Sequence, residues 1–286
     1  MSINRRNFFK VVGVTGLTVI GLKSAGDDSK AADNTEFHGV LYDSFACVGC
    51  RNCENACAEA HNLSLPQDEL VAGVLRKTSE TQRCVINSFS TPNGEVYMRT
   101  QCMHCNEPAC VAACLTKAMF KTKEGPVIWR EDKCMGCRYC MVSCPFDVPK
   151  FEYHSANPKI QKCDMCYDRI IDGKIPACVE NCGVALFYGT RRELIAEARK
   201  RIVENPGVYV DKVYGETVAG GTGCLYLSSV PVNELGMKTD LQNSSYPALT
   251  KGFLYSVPSV FVLVPTLLLG ISKATKNKPE KNEEDE

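Results

Sequence analysis

Residues 134–145 read Cys134-Met135-Gly136-Cys137-Arg138-Tyr139-Cys140-Met141-Val142-Ser143-Cys144-Pro145. This is the C-x2-C-x2-C-x3-C-P spacing with which bacterial proteins bind [4Fe–4S] clusters. The first three thiolates can ligate three irons of one cubane cluster, so the fourth iron needs a ligand from elsewhere in the chain. In two-cluster proteins the fourth cysteine of such a run ligates the other cluster. The stretch therefore predicts a partner run.

Partner runs are present, because sixteen of the eighteen cysteines fall into four groups of four. The intervening residues number 2, 2 and 3 in group one, 2, 4 and 3 in group two, 2, 2 and 3 in group three, and 2, 11 and 3 in group four. The members, in chain order, are Cys47, Cys50, Cys53 and Cys57; Cys102, Cys105, Cys110 and Cys114; Cys134, Cys137, Cys140 and Cys144; and Cys163, Cys166, Cys178 and Cys182. These sixteen thiolates are the number that four cubane clusters require.

Two other uses of cysteine fit this pattern less well. Disulfides stabilise small exported domains, but cysteines two or three residues apart would form strained local bridges. Structural zinc sites use C-x2-C pairs, usually as two distant pairs, whereas three thiolates crowded into one short run suit a cluster better. We therefore predict iron–sulfur clusters, with zinc and disulfides as the alternatives. Cys84 and Cys224 belong to no group and are predicted to be buried as small hydrophobic side chains.

Three residues between the cysteines bear on the cluster loops. Gly49 and Gly136 precede the second cysteine of groups one and three, where glycine permits a tight turn that brings backbone N–H groups toward sulfur. Such hydrogen bonds, together with net charge and solvent exposure, set the reduction potential of a cluster. His104, between Cys102 and Cys105, is interpreted as tuning a neighbouring cluster or meeting a partner rather than as a metal ligand.

Charge and length limit the classes of partner and fold. The 286 residues include 33 basic and 33 acidic side chains, so the formal net charge is zero. A balanced charge argues against a nucleic-acid partner, which would require a basic surface. Because clusters would fill much of the interior, we expect the apoprotein to be unstable.

The N-terminus carries a predicted export signal. Arg5-Arg6, followed by Phe8-Phe9-Lys10, resembles a twin-arginine signal, and the apolar segment after it is too short to span a bilayer comfortably. A tethering helix is the alternative. Because this route exports folded proteins, clusters assembled in the cytoplasm would be carried across the membrane complete.

The C-terminus carries a predicted membrane anchor. The segment from Phe253 to Ile271 has no charged residue and is long enough to cross a bilayer, although Pro258 and Pro265 also allow a buried core helix or a surface anchor. Lysines follow it at once, so the positive-inside rule makes the tail cytoplasmic and the cluster domain periplasmic. The expected divisions are a signal peptide at 1–32, a four-cluster domain at 33–232, a linker at 233–250, a transmembrane helix at 251–272 and a tail at 273–286.

Local patterns predict the elements around the cysteines. Residues 37–42, 95–100 and 126–129 are predicted strands that lead into groups one, two and three. Short helical turns are expected to follow the third cysteine of each group, for example at Arg138–Ser143. Thr190-Arg191-Arg192-Glu193 is a capping box that predicts a helix through Val203. The stretch 230–246 is predicted to be an extended linker.

Further segments carry a family resemblance. Gln101–Cys105, Cys137–Val142 and Gly189–Leu194, with the spacing of groups two and four, resemble the four-cluster electron-transfer subunits of membrane-bound oxidoreductases, and are most similar to the HybA-type family of hydrogenase 2 subunits. The resemblance extends from Asn4 to the tail. It implies an α+β fold of two ferredoxin-like, double-cluster halves with inserted loops, plus one C-terminal transmembrane helix. One departure is that proline follows the last cysteine only in group three.

The resemblance also implies which cysteines share a cluster, pairing group one with four and two with three. The implied ligand sets are Cys47, Cys50, Cys53 and Cys182 for the first cluster; Cys57, Cys163, Cys166 and Cys178 for the second; Cys102, Cys105, Cys110 and Cys144 for the third; and Cys114, Cys134, Cys137 and Cys140 for the fourth.

The expected function is electron transfer through four [4Fe–4S] clusters, by a subunit without catalytic residues of its own. It would connect a periplasmic catalytic partner, expected to be a [NiFe] hydrogenase, to an integral membrane quinone-reactive subunit. A molybdenum or multihaem-cytochrome oxidoreductase could use the same relay. A non-redox zinc or structural scaffold is the alternative of another class.

Overall fold

The computed structural model describes residues 36–92 and 94–276. Among these residues, 36–249 form one compact unit and 250–276 belong to a second. The predicted export signal at 1–32 lies outside the described residues, as do residues 277–286 of the predicted tail.

A three-stranded sheet forms the centre of the first unit. Strand β1 (His38–Asp43) lies between β8 (Leu186–Thr190) and β9 (Cys224–Leu227), antiparallel to β8 and parallel to β9. In this register Leu41 lies opposite both Phe187 and Leu225. Nearly every residue of β1 is buried, because both faces of the sheet are covered and a strand covered on both faces is apolar on both.

Helix α6 (Arg191–Glu204) covers one face of this sheet, where Leu194 and Ala198 pack against Leu41. The predicted capping box is confirmed: Glu193 N donates to Thr190 Oγ1 at 3.4 Å, and Thr190 N donates to Glu193 Oε2 at 3.2 Å. These two hydrogen bonds satisfy the backbone N–H groups of Glu193 and Thr190, which have no acceptor within the first turn of the helix. The other face of the sheet packs against the cysteine loops, through residues such as Val40 and Tyr42.

The cysteine loops follow strands, as predicted. Three hairpins are present, β2–β3 (Val85–Thr91 and Gly94–Thr100), β4–β5 (Met119–Lys121 and Val127–Trp129) and β6–β7 (Lys150–Phe151 and Ile160–Gln161). Group one follows β1, and groups two, three and four follow the second strands of these hairpins, with a 3-10 turn at Glu131–Lys133 before group three.

A short helix lies at the third cysteine of each group, which also confirms the prediction, and in group one the helix extends past the fourth cysteine. These helices are α1 (Asn52–Ala60), α2 (Ala109–Ala112), α3 (Tyr139–Val142) and α5 (Ala177–Glu180), and α4 (Tyr167–Ile171) lies between the two halves of group four. Helix α1 packs against α5, and α2 packs against α3. These two contacts bring group one to group four and group two to group three.

The stretch 230–245 has neither helix nor strand, as expected, but it is not a free linker. Val230 is buried and Leu235 is 2% exposed, and both belong to the core beside the central sheet. Their apolar side chains gain more from that burial than an extended, solvated segment would allow.

Helix α7 (Tyr246–Lys276) contains the predicted span Phe253–Ile271. The most apolar 18-residue stretch of α7 has a mean hydropathy of 2.0, and α7 is the one helix among the described residues that is long and apolar enough to cross a membrane. None of its residues is buried. Pro258 and Pro265 lie within it, which membrane helices tolerate.

Candidate iron–sulfur sites

The first C-x-x-C segment of every group makes the same backbone turn. The residue before the second cysteine has a positive φ in all four groups, at Gly49 (70°), His104 (49°), Gly136 (72°) and Met165 (60°). In group four this turn directs Met165 N at Cys163 Sγ, 3.4 Å away. The sequence predicted the turn where glycine marks it, but missed it at the histidine and the methionine, whose side chains disfavour this conformation.

Groups one and three share a longer local pattern, C-x-G-C-R-x-C. The arginines in it, Arg51 and Arg138, also have positive φ values, of 61° and 59°. Their side chains make different contacts: Arg51 Nη2 lies 2.9 Å from Glu54 Oε2, whereas the Arg138 guanidinium lies over the Phe151 ring at 5.3 Å. The two loops are therefore repeats of one backbone conformation in different surroundings.

Thiols of group one face thiols of group four. Burial raises the pKa of Cys47, and the charges of Cys182 and Cys50 raise it further. For Cys57, a hydrogen bond with Cys84 is the largest cause of a raised pKa, followed by burial and by charges that include Cys163 and Cys178. Like charges have this effect only at short range.

Thiols of group two and group three face one another in the same way. Burial raises the pKa of Cys105 to about 12, with contributions from Cys102 and Cys144. Burial also raises the pKa of Cys140 to about 11, with contributions from Cys114, Cys134 and Cys137. Cys140 and these three neighbours, Cys114, Cys134 and Cys137, line one cavity. Met119, Trp129 and Ile160 add apolar side chains to its wall.

These surroundings fit a [4Fe–4S] cluster. All eighteen cysteines lie within the described residues and none is in a disulfide. Burial, and after it the repulsion between neighbouring thiolates, raises the pKa values of these thiols. Such thiols become thiolates only next to a cation, and the iron of a cluster supplies that charge. Cys50 and Cys137, the second cysteines of groups one and three, are the exposed ones, so each of these loops approaches the surface.

Comparison with known proteins agrees with this geometry. The model of the 4Fe-4S dicluster domain matches residues 94–191. A protein of Nitratidesulfovibrio vulgaris is 43% identical over 96% of this chain and 78% of its own length. The hydrogenase-2 operon protein HybA of Escherichia coli O157:H7 is 32% identical over 99% of this chain and 98% of its own.

The chain belongs to the HybA-type family of iron–sulfur proteins. The iron–sulfur subunit of the nitrate-inducible formate dehydrogenase of Escherichia coli K12 is also similar, at 30% identity over 75% of this chain and 76% of its own. Such relatives are electron-transfer subunits of oxidoreductase complexes, and this HybA-type chain is likewise an electron-transfer subunit rather than a catalytic one.

The stretch between groups one and two anchors helix α1 of this HybA-type chain through a buried carboxylate. Glu54 is 2% exposed. Its Oε1 lies 2.7 Å from Arg76 Nη1 and accepts from Ile86 N at 2.5 Å, and its Oε2 lies 2.9 Å from Arg51 Nη2. Since Cys53 and Cys57 flank Glu54 on α1, this network orients two cysteines of group one. Sequence reasoning missed it, because Glu54 reads as an exposed helix residue.

His104 is neutral and buried. It is 0% exposed, and its Nδ1 accepts a hydrogen bond from Val127 N at 2.9 Å. Burial, then the charges of Lys162 and Lys121, hold its pKa well below the usual range. The interpretation that His104 meets a partner is therefore wrong, because no surface of the residue is accessible.

The two ungrouped cysteines are buried, as predicted, at 2% exposure for Cys84 and 1% for Cys224. Both also make polar contacts that the prediction did not include. Cys84 Sγ donates to Cys53 O at 3.7 Å, and Gln101 Nε2 donates to Cys224 Sγ at 3.2 Å. Each therefore packs directly beside a cysteine group.

Two further residues near group four were missed. His61 Nε2 lies 3.5 Å from Cys166 Sγ and 3.4 Å from Asp164 Oδ1, and Asp164 Oδ2 accepts from Arg83 at 2.8 Å. The three ligand atoms lie close enough for a metal ion, but Cys166 belongs to group four. His61 and Asp164 thus support the thiol of a cysteine group rather than form a separate site.

Proposed function

We propose that this chain relays single electrons through four [4Fe–4S] clusters. The observation that carries the proposal is the convergence of sixteen thiols, two groups at a time, in a chain of the HybA-type family. All of them except Cys50 and Cys137 are buried or half-buried. A [4Fe–4S] cluster supplies one-electron chemistry at a potential that the protein tunes. The protein's residues hold the sulfur ligands, direct backbone N–H groups at them and exclude water from most of them.

The proposed ligand sets pair the groups crosswise. They are Cys47, Cys50, Cys53 and Cys182; Cys57, Cys163, Cys166 and Cys178; Cys102, Cys105, Cys110 and Cys144; and Cys114, Cys134, Cys137 and Cys140. The proximity of Cys47 to Cys182 and of Cys105 to Cys144 supports this pairing, since in each case the last cysteine of one group faces the first cysteines of the other.

The pairing implies two ferredoxin-like halves, each with two clusters. The repeated turn around Gly49 and Gly136 and the contacts of α1 with α5 and of α2 with α3 support such a duplication. We expect the four-cluster domain to span residues 33–232, with Leu235 of the following stretch packed into its core.

The proposed location is the periplasmic side of the inner membrane, with residues 251–272 as the anchor and 273–286 as a cytoplasmic tail. The exposed apolar side chains of α7 and the lysines at its end, Lys273 and Lys276, support this orientation. Export by the twin-arginine route, with residues 1–32 as the signal peptide, is part of the same proposal.

The proposed partners are a [NiFe] hydrogenase as the catalytic subunit and an integral membrane subunit that reacts with quinone. The HybA relative is named for a hydrogenase-2 operon and aligns over 98% of its length, which favours the hydrogenase. The formate dehydrogenase relative makes a molybdenum oxidoreductase the second candidate. Purifying the anaerobic complex by a tag on this chain and assaying hydrogen-dependent and formate-dependent dye reduction separates the two.

Metal analysis of the anaerobically purified full-length chain, separated from its iron-containing partner subunits, tests the clusters themselves. We expect about sixteen iron atoms and as much acid-labile sulfide per chain, with four components in an EPR-monitored redox titration. About four iron atoms per chain would contradict the number of clusters. Stoichiometric zinc without a visible absorption band near 400 nm would replace the relay with a structural scaffold.

A further inference from the structure

A buried arginine lies among the cysteines of groups one and four. Arg99 is on β3, where it lies opposite Ile86, and is 1% exposed. Its Nε and Nη1 atoms have no hydrogen-bond partner within the described residues. A buried polar side chain is normally satisfied, so these two N–H groups point to an acceptor that the protein itself does not provide.

No carboxylate neutralises this arginine. The buried carboxylate of Glu54 is already shared by Arg51 and Arg76. None of the ion pairs among residues 36–92 and 94–276 includes Arg99. Burying an unpaired charge is strongly unfavourable. The charge of Arg99 therefore requires a negative group close to it in the functional protein.

Cysteine thiols lie beside the guanidinium instead. The Arg99 side chain is within hydrogen-bonding reach of the thiols of Cys84 and Cys178, and Cys53 is also a neighbour. Cys53 and Cys178 belong to different ligand sets in the proposed pairing, so Arg99 lies beside both.

We propose that Arg99 is a cation shared by the two clusters that Cys53 and Cys178 help to ligate, and that it raises the reduction potential of both. The inference rests on the proposed function. Taking up an electron adds one negative charge to a cluster, and a nearby cation stabilises the reduced form more than the oxidised form. N–H donors directed at sulfur act in the same direction.

The test uses three variants of the complete complex and EPR-monitored redox titration. Arg99→Met removes the charge while keeping an apolar side chain of similar length, Arg99→Lys keeps the charge, and Arg192→Gln removes an arginine whose side chain is 84% exposed. We expect Arg99→Met to lower the midpoint potentials of the two clusters of groups one and four only. Arg99→Lys should restore most of the shift, and Arg192→Gln should change no potential.

The outcomes decide between charge and packing. Unchanged potentials in Arg99→Met with full iron content, or equal shifts of all four clusters, would overturn the role of Arg99. If Arg99→Met loses iron, Arg99→Lys decides: four clusters with near-parental potentials support the charge, whereas loss of clusters in both variants shows that the guanidinium shape is needed and overturns it. A parent complex without four clusters would refute the proposed function instead.

Discussion

The two glycine turns offer a matched test of how the cluster loops are held. Gly49 and Gly136 have φ values of 70° and 72°, so replacing either by alanine introduces the same left-handed strain, about 1–2 kcal/mol. The surroundings differ. A Cβ on Gly49 would lie 2.3 Å from Tyr97 Cε1 and 2.6 Å from Tyr97 Cζ, whereas a Cβ on Gly136 would have no heavy atom within 4 Å.

The Tyr97 ring must move to admit the methyl group. The Tyr97 hydroxyl donates to Glu95 Oε2 at 2.8 Å, and the backbone carbonyl of Tyr97 accepts from the Tyr42 hydroxyl at 2.8 Å. The side chain and the backbone of Tyr97 are therefore both held in place. Inserting a methyl group into a packed site costs about 1–3 kcal/mol. We therefore expect Gly49→Ala to destabilise by about 1–3 kcal/mol more than Gly136→Ala. Contact with a bound cluster is common to the two loops and cancels in this difference.

The assay is anaerobic guanidinium unfolding of the purified complex, followed by the absorbance of the clusters near 400 nm and by far-UV circular dichroism. Tyr97→Ala supplies the control, because in that background the methyl group at position 49 has room and the difference between the two glycine variants should disappear. Equal destabilisation by Gly49→Ala and Gly136→Ala in the parent background would refute the reasoning, and so would a difference that survives Tyr97→Ala.

Three other perturbations test the site and the anchor. Glu54→Gln leaves Arg76 with only the half-exposed Asp68 as a counter-charge and should destabilise by about 1–3 kcal/mol in the same unfolding assay, while Glu204→Gln, which removes an exposed helical pair, should cost less than about 0.5 kcal/mol. Cys182→Ser should alter the EPR signal of the cluster held by group one; a change confined to the cluster of Cys163, Cys166 and Cys178 would exclude the crosswise pairing. Removing residues 246–286 should release the chain from membranes without detergent, and continued need for detergent would place the anchor elsewhere.

Local features of this chain were predictable because they depend on neighbouring residues. The intervals within the four cysteine groups fix which thiols share a loop, and the C-x3-C interval of group one spans one turn of α1. The capping box at Thr190 and Glu193 fixed the start of α6 for the same reason, since both of its hydrogen bonds join residues three apart. The uncharged run in α7 needed only length and composition.

Contacts between distant segments could not be predicted in this way. In the strand 94–100, the two-residue period places Arg99 on the same face as the exposed Glu95 and the half-buried Tyr97. The packing of other segments nevertheless buries Arg99 beside Cys53 and Cys178. Leu235 looked like a linker residue and is part of the core. The order of the residues determines which side chains a loop carries and how long the loop is. The burial and the charge environment of a side chain depend on which remote segment covers it, and only the tertiary fold decides that.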